Sequence, residues 1–503
     1  MPRFLFQLII LSLALNQFAL ASPKPRPAML RLTAEEITLP GNEKTGLLGG
    51  SYLVHLNRYL YAGFGIYGAV SGQRGGFFTG GMETGIKKRL GRQLELDAGI
   101  FIGGGGGGGA PQGGGLMLRP HIGMSYLTPV GKIGLQYSQI KFPNGSINST
   151  QASVVFEKPL SLLISGDWGK TSRVSSVDDN YLGKNRPASQ DFSLLIQNYD
   201  LPAGTRNTRG QVQDADMSLV GVEWDTYFHK NTFLRLQALG AMRGNSDGYA
   251  SILLGLGYDY QLPGQNNLKL AVSLGASGGG NVDTGGGFIA DTSLNLQHRF
   301  NNGLLLGLKA GFQNAPDGDF EATSLGIYIG HSDRPPKKPN PGGLNIKPRH
   351  WRIRATHQTY LPKGDTRRKS QTTPDNRNIN LFGLQADIMV NRNIYLTGQA
   401  IGAYDGGAGG YAAGLIGTGI IFPLHKKNRL VLNAEVLAGA AGGGGLAIGD
   451  GLVTQAMIGI GYRTSRSTSL RASYGMFKSI NGTFEANVIN LSFALRLTTL
   501  TWK

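Results

Sequence analysis

The chain has 503 residues with 78 glycines, no cysteine and only 16% charged residues, yet its formal net charge is +18. The absence of cysteine excludes disulfides, thiolate metal sites and a lipid-anchored lipoprotein. Glycine at this frequency argues against helix, because each interior glycine costs roughly 1 kcal/mol relative to alanine, and without a G-X-Y period it is not collagen.

Residues 1–21 read as a cleaved signal peptide: Arg3 is the positive start, 4–15 the apolar stretch and Ala19-Leu20-Ala21 the cleavage signal. A large exported chain without disulfides fits a Gram-negative envelope. The basic surplus then implies an anionic partner such as lipopolysaccharide phosphate or an acidic solute, and no nucleic acid.

One pattern recurs three times. Leu39-Pro40, Leu201-Pro202 and Leu361-Pro362 lie 162 and 160 residues apart. Each is followed by an alternating run ending Gly-Ala-x-x-Gly, at Gly68-Ala69, Gly240-Ala241 and Gly402-Ala403. Glycine-dense stretches follow at 103–115, 275–287 and 439–451. The last two copies share the triplets Phe320-Glu321-Ala322 and Phe484-Glu485-Ala486. A fixed period of this kind marks a repeat architecture. The expected division is a β repeat over 22–166, a linker over 167–190, a second repeat over 191–331, a Pro/Lys-rich linker over 332–349 and a third repeat over 350–503.

Each repeat parses into about eight strands. In the first they run near 29–39, 47–57, 59–71, 76–90, 94–103, 115–127, 132–142 and 147–157. Leu94, Leu96 and Ala98 alternate with Glu95 and Asp97, and 268–274 and 430–436 largely repeat this, so one face is apolar and the other polar. Connections after the second, fourth and sixth strands are tight and basic, while those at 203–216 and 363–378 are long. Tight turns on one rim, long loops on the other and strands of about 10 residues suit a membrane barrel. In these features the chain resembles bacterial outer-membrane β-barrel proteins. The resemblance implies an outer-membrane location, lipid and lipopolysaccharide as surroundings, and assembly by the outer-membrane insertion machinery. It departs from them at the end, where Trp502 is penultimate.

Two architectures fit an all-β transmembrane antiparallel barrel built from three such repeats. A single barrel of about 24 strands is the simpler expectation, since barrels grow by duplicating strands. Three tandem 8-stranded barrels are favoured by the proline-dense linker, which cannot lie within a central strand. The ion-pairing potential of Glu95 and Asp97 with Arg119 and His121 also favours small, self-filled barrels.

Several motifs look chemical. Gly63 to Gly68 match G-x-G-x-x-G, but no helix opens there to hold a pyrophosphate. Gly275-Ala276-Ser277-Gly278-Gly279 matches a nucleophile elbow without its helix. Asp283-Thr284-Gly285 lacks a converging second carboxylate. The heptaglycine 103–109 lacks the Gly-Lys-Ser/Thr of a phosphate loop; glycine recurs at this loop in all three copies, which suggests that these tips approach something closely, each other or a ligand chain. The eight histidines show no metal-ligand spacing. No catalytic residue, cofactor or metal is therefore assigned.

Basic residues are the candidates that remain. Arg31, Arg119, Arg235, Lys269, Arg352 and Arg354 fall on the polar parity of their strands and would face a lumen, either pairing with Glu95, Asp97 and Glu435 or lining an anion path. Lys363, Arg367, Arg368 and Lys369 form a basic loop suited to lipopolysaccharide phosphates. The leading functional expectation is a non-enzymatic outer-membrane channel or translocation pore for anionic solutes or an acidic polymer such as a polysaccharide. Its alternatives are a non-conducting envelope structural or surface-interaction protein and, remotely, a lipid-modifying enzyme.

Overall fold

The computed structural model describes residues 24–165, 188–213, 216–335, 346–364, 367, 375–424 and 429–502. The leader, most of both linkers, Arg368 and Lys369 lie outside them.

The described residues form 24 antiparallel strands. The first eight are β1 (Lys24–Leu39), β2 (Glu43–His55), β3 (Leu60–Ser71), β4 (Phe78–Leu90), β5 (Leu94–Gly106), β6 (Leu116–Leu127), β7 (Lys132–Lys141) and β8 (Asn148–Ser165). The next are β9 (Ser189–Asp200), β10 (Asp216–Tyr227), β11 (Thr232–Arg243), β12 (Ala250–Gln261), β13 (Asn266–Gly278), β14 (Phe288–Arg299), β15 (Leu304–Asn314) and β16 (Glu321–Ser332). The last are β17 (Ile346–Pro362), β18 (Ile379–Met389), β19 (Ile394–Asp405), β20 (Ala412–Pro423), β21 (Leu430–Gly442), β22 (Leu452–Arg463), β23 (Thr468–Ser479) and β24 (Glu485–Trp502).

Each set of eight closes on itself. β1 pairs with β8, Arg31 opposite Glu157 and Leu32 opposite Phe156. β9 pairs with β16, and β17 with β24 along 17 register positions, Ile346 opposite Trp502 through Pro362 opposite Ala486. Of the two architectures open to the sequence, the structure takes the three tandem barrels: the single 24-stranded barrel would need β1 against the last strand, and that pairing belongs to β17. The physical reason lies inside. Eight strands enclose a bore that side chains can fill, and the inward residues of each repeat complement one another. β8 and β24 also meet, at Ile164 opposite Thr499 and Ser165 opposite Thr498, where both run on past their barrels at the tight-turn rim.

The period-2 pattern sorts the faces. Ile122 and Leu135 of the first barrel, Leu308 and Leu325 of the second, and Val436 and Ile458 of the third point outward and are exposed. Tyr126, Tyr258 and Tyr462 stand exposed near the tight-turn ends of their strands, where a membrane barrel carries its aromatic girdle. Closure pairs the strands around each ring and removes the edges, the condition for crossing a bilayer in β structure. Apolar outside, polar inside and closed, this is a transmembrane β-barrel chain.

The three barrels pack side to side through small residues. A Cβ on Gly68 of β3 would lie 2.7 Å from the Ala276 Cβ of β13. On Gly240 of β11 it would lie 2.9 Å from the Ala440 Cβ of β21, and on Gly402 of β19 it would lie 2.8 Å from the Gly104 oxygen of β5. These positions are register equivalents: Gly68, Gly240 and Gly402 each lie three residues before the end of a third strand, opposite Phe78, Ala250 and Ala412. The third strand of each barrel thus meets the fifth strand of the next, and the ring closes head to tail. A second layer repeats the scheme. Gly76, Gly248 and Gly410 (φ +83°, +87° and +89°) face Gly279, Gly443 and Gly107, and the left-handed backbone together with the close approach calls for glycine. The Gly76 amide donates to the Ser277 carbonyl (3.1 Å) and the Gly410 amide to the Gly105 carbonyl (3.2 Å).

Candidate functional site: the three barrel interiors

Each lumen has two storeys. At the long-loop end lies an apolar plug. In the first barrel it includes Leu39, Tyr67, Phe77, Phe101 and Phe142, with Tyr67 and Phe101 edge to face at 5.0 Å. In the second, Tyr199 and Tyr249 close on Phe320 at 6.3 and 5.6 Å. In the third, Tyr360 lies 4.8 Å from Phe477, and Phe484 joins them. The repeated Phe-Glu-Ala triplet is explained here: Phe320 and Phe484 are plug residues, Ala322 and Ala486 point inward, and the glutamates point out.

Towards the tight-turn end each lumen is charged. In the first barrel Arg31 is buried and held by Glu83, Asp97 and Glu157, the last at 2.8 Å. Lys87 pairs with Glu157 and, at 3.1 Å, with Glu95, which also takes Lys132. Arg119, fully buried, binds Glu35 at 2.8 Å and donates to Ser153 Oγ at 3.2 Å. His121 lies 3.6 Å from Asp97. The expected partnership of Glu95 and Asp97 with Arg119 and His121 is therefore redistributed: Asp97 has His121, but Arg119 looks to Glu35.

In the second barrel Arg235 binds Asp225 at 2.8 Å and Glu223 at 2.9 Å. Lys269 bridges Asp191 and Asp225 at 2.7 and 3.0 Å, and Lys309 binds Glu223 at 2.8 Å. Arg334, just past the last strand, turns back into the tight-turn mouth. It binds Asp259 at 2.6 Å and Asp191 at 3.0 Å and lies 4.5 Å from the Tyr227 ring centroid.

In the third barrel Arg354 binds Asp387 at 2.7 Å and Glu435 at 2.9 Å. Arg352 shares Asp387 at 2.5 Å, and Arg471 shares Glu435 at 3.2 Å. One ring per barrel, at the same register position of the third strand, takes a cation: Arg31 over Tyr61 (5.1 Å), Arg235 over Phe233 (5.1 Å) and Arg352 over Tyr395 (4.6 Å).

All six lumen-facing basic residues expected from strand parity thus lie inside, buried, each in an ion pair. Parity reasoning applied to shorter runs would also have found Lys87, Lys132, Lys309, Arg471 and Arg496. Arg334 carried no such signal, because it lies beyond the alternation. The basic loop behaves differently from expectation at one position. Arg367 is buried, with Nη1 donating to Asp375 (2.9 Å) and to the Arg377 carbonyl (2.6 Å). Its guanidinium is engaged with these partners and with the Gly406 carbonyl. Lys363 is half-buried beside the Met476 sulfur at 3.4 Å.

The motifs that looked chemical fall into the barrel junctions. Gly63 to Gly68 lie within β3. Ser277 offers its carbonyl to Gly76 of the neighbouring barrel, and Thr284 Oγ1 donates to that same carbonyl at 3.1 Å. The heptaglycine supplies Gly104, Gly105 and Gly107 to the contact with the third barrel. Of the two partners expected for these tips, the structure shows each other.

No family model and no curated protein matches the chain. Among solved structures it is similar to the siderophore receptor PirA from Pseudomonas aeruginosa, at 10% identity and TM-score 0.27, covering 94% of this chain and 81% of that one. It is also similar to OccK11 (OpdR) from Pseudomonas aeruginosa, at 13% identity and TM-score 0.23, covering 94% and 96%. A third is OccAB3 from Acinetobacter baumannii, at 12% identity and TM-score 0.22, covering 94% and 99%. TM-scores this low leave the reading of the chain to its own residues.

Proposed function

We propose that the chain sits in the outer membrane of a Gram-negative cell, after loss of its leader, as a non-conducting envelope protein. Its three plugged barrels form one rigid body that presents the joined long-loop rim to the exterior. The observation that carries this reading is the two-storey filling of every lumen, since an apolar plug leaves an ion no hydrated path and each lumen has ion pairs below it. The glycine junctions support it too: three barrels held in a ring make a broad, fixed surface, which a structural or surface-interaction role uses and a solute path does not. The reading assigns no catalysis. Lipid and lipopolysaccharide are its surroundings, and the insertion machinery its means of assembly.

Reconstitution in planar bilayers tests it. The expected result is a silent membrane and, on intact cells, protease cleavage confined to the long-loop rim. Stepwise conductance with anion-over-cation reversal potentials would instead support the channel for anionic solutes. The observation favouring that second reading is the positive surplus of the third lumen, since charged rings set pore selectivity.

A further inference from the structure

The three charged storeys do not balance alike. The first holds Arg31, Lys87, Arg119 and Lys132 against Glu35, Glu83, Glu95, Asp97 and Glu157. The second sets Arg235, Lys269, Lys309 and Arg334 against Asp191, Glu223, Asp225, Asp259 and Asp291. The third sets Arg352, Arg354 and Arg471 against Asp387 and Glu435 alone among the described residues, with Arg463 at the mouth. Two lumens carry one more carboxylate than cation. The third carries a surplus of guanidinium, and burying such a group without a counter-charge is strongly unfavourable.

The surplus is gathered in one place. Arg463 is the last residue of β22, and Arg471 lies opposite Gly461 on the same pair of strands. Arg352 Nη2, Arg471 Nη2 and Arg463 Nε are all buried and make no hydrogen bond. Asn433, 1% exposed, points its amide at the same space: a Cβ on Gly461 would lie 3.7 Å from Asn433 Nδ2, and neither Asn433 amide atom has a partner. Gly459 and Gly461 leave the facing wall without side chains. Buried donors without acceptors, converging beside side-chain-free wall, are what an absent acceptor leaves behind.

We propose that the tight-turn mouth of the third barrel binds an oxyanion of the phosphate class, held by Arg352 and Arg471 and capped by Asn433, with Arg463 at the entrance. Guanidinium forks match such an anion in geometry as well as charge. The anion supplies negative charge that the two carboxylates of this lumen do not. This holds whether or not the lumens conduct.

The test is calorimetric titration of inorganic phosphate into the full chain in zwitterionic detergent, at fixed ionic strength with chloride as the competing salt. Saturable binding is expected. Arg463→Gln, at the rim and outside the ion pairs, should weaken it about tenfold, the loss of one charge-assisted hydrogen bond. Arg471→Gln should abolish it. Arg92→Gln, the same charge change on an exposed turn of the first barrel, should leave it unchanged. Mass spectrometry of the protein as purified separates the sources: a retained phospholipid makes the ligand a headgroup, a retained inorganic ion makes it a solute, and either supports the site. Absence of both saturable binding and a retained anion would overturn the proposal. Binding unaffected by Arg463→Gln and Arg471→Gln would overturn it equally.

Discussion

Gly68 and Ala276 belong to different barrels, yet a Cβ on the glycine would stand 2.7 Å from that of the alanine. The same contact recurs between Gly240 and Ala440. Side chains here are small because two barrel walls touch. Gly68→Leu should therefore cost about 1–3 kcal/mol, the range for overpacking a tight contact. The loss should fall on the junction of the first and second barrels and leave the barrels folded. Amide hydrogen exchange checks this: the Gly76 amide, which donates to Ser277 across this junction, should exchange faster in the variant, while the Gly410 amide, which donates to Gly105 across the junction of the third and first barrels, should not.

Glu157 serves Arg31 at 2.8 Å and also holds Lys87. Glu157→Gln keeps the shape and removes the shared charge, leaving two buried cations short of a partner. The expected cost is about 3–5 kcal/mol, read as a lower urea midpoint for the full chain in lipid vesicles. Lys44→Gln, which breaks an exposed pair with Glu36, should change the stability read this way by less than about 1 kcal/mol.

Much of the fold was legible in the sequence. Alternation such as Leu94-Glu95-Leu96-Asp97 located the strands of the first repeat to within a few residues, apart from the run of β8 on to Ser165. Parity also put the six basic residues inside. Closure was harder to read, because β1 presents the same alternation to β8 as it would to β24. What decides between them is complementarity at long separation, as of Arg31 with Glu157, and spacing alone does not reveal which charges face. The glycine stretches announced a close approach but not the partner, since contact between barrels leaves no period. The inward turn of Arg367 was hidden because its acceptors include the carbonyls of Arg377 and Gly406, and carbonyls have no sequence signature.

Arg334 makes a prediction of its own. A fragment of residues 189–335 behind a signal peptide should insert as a heat-modifiable barrel, since its eight strands close on themselves. Ending it at residue 331 removes a partner of Asp259 and Asp191 and should cost about 3 kcal/mol of stability, read as a lower urea midpoint. Equal midpoints would show that Arg334 does not close the mouth.

Phe484 is fully buried in the plug of the third barrel with Tyr360 and Phe477. Phe484→Ala should destabilise by about 3–5 kcal/mol, as large-to-small core changes do, and the same change at Phe320 should act alike on the second barrel. A cost below about 1 kcal/mol at both would mean that the plugs are loosely packed, and would weaken the case for closed lumens.

The most direct test of three closed barrels uses the absence of native cysteine. Leu32 and Phe156 are opposite across β1 and β8, within the Cα separation that a disulfide spans. Cysteines at these two positions should oxidise to a disulfide in the membrane, and cysteines at Leu32 and Leu491 should not, because Leu491 faces His357 within the third barrel. A disulfide between positions 32 and 491, with none between 32 and 156, would contradict the three barrels and restore the single ring of 24 strands.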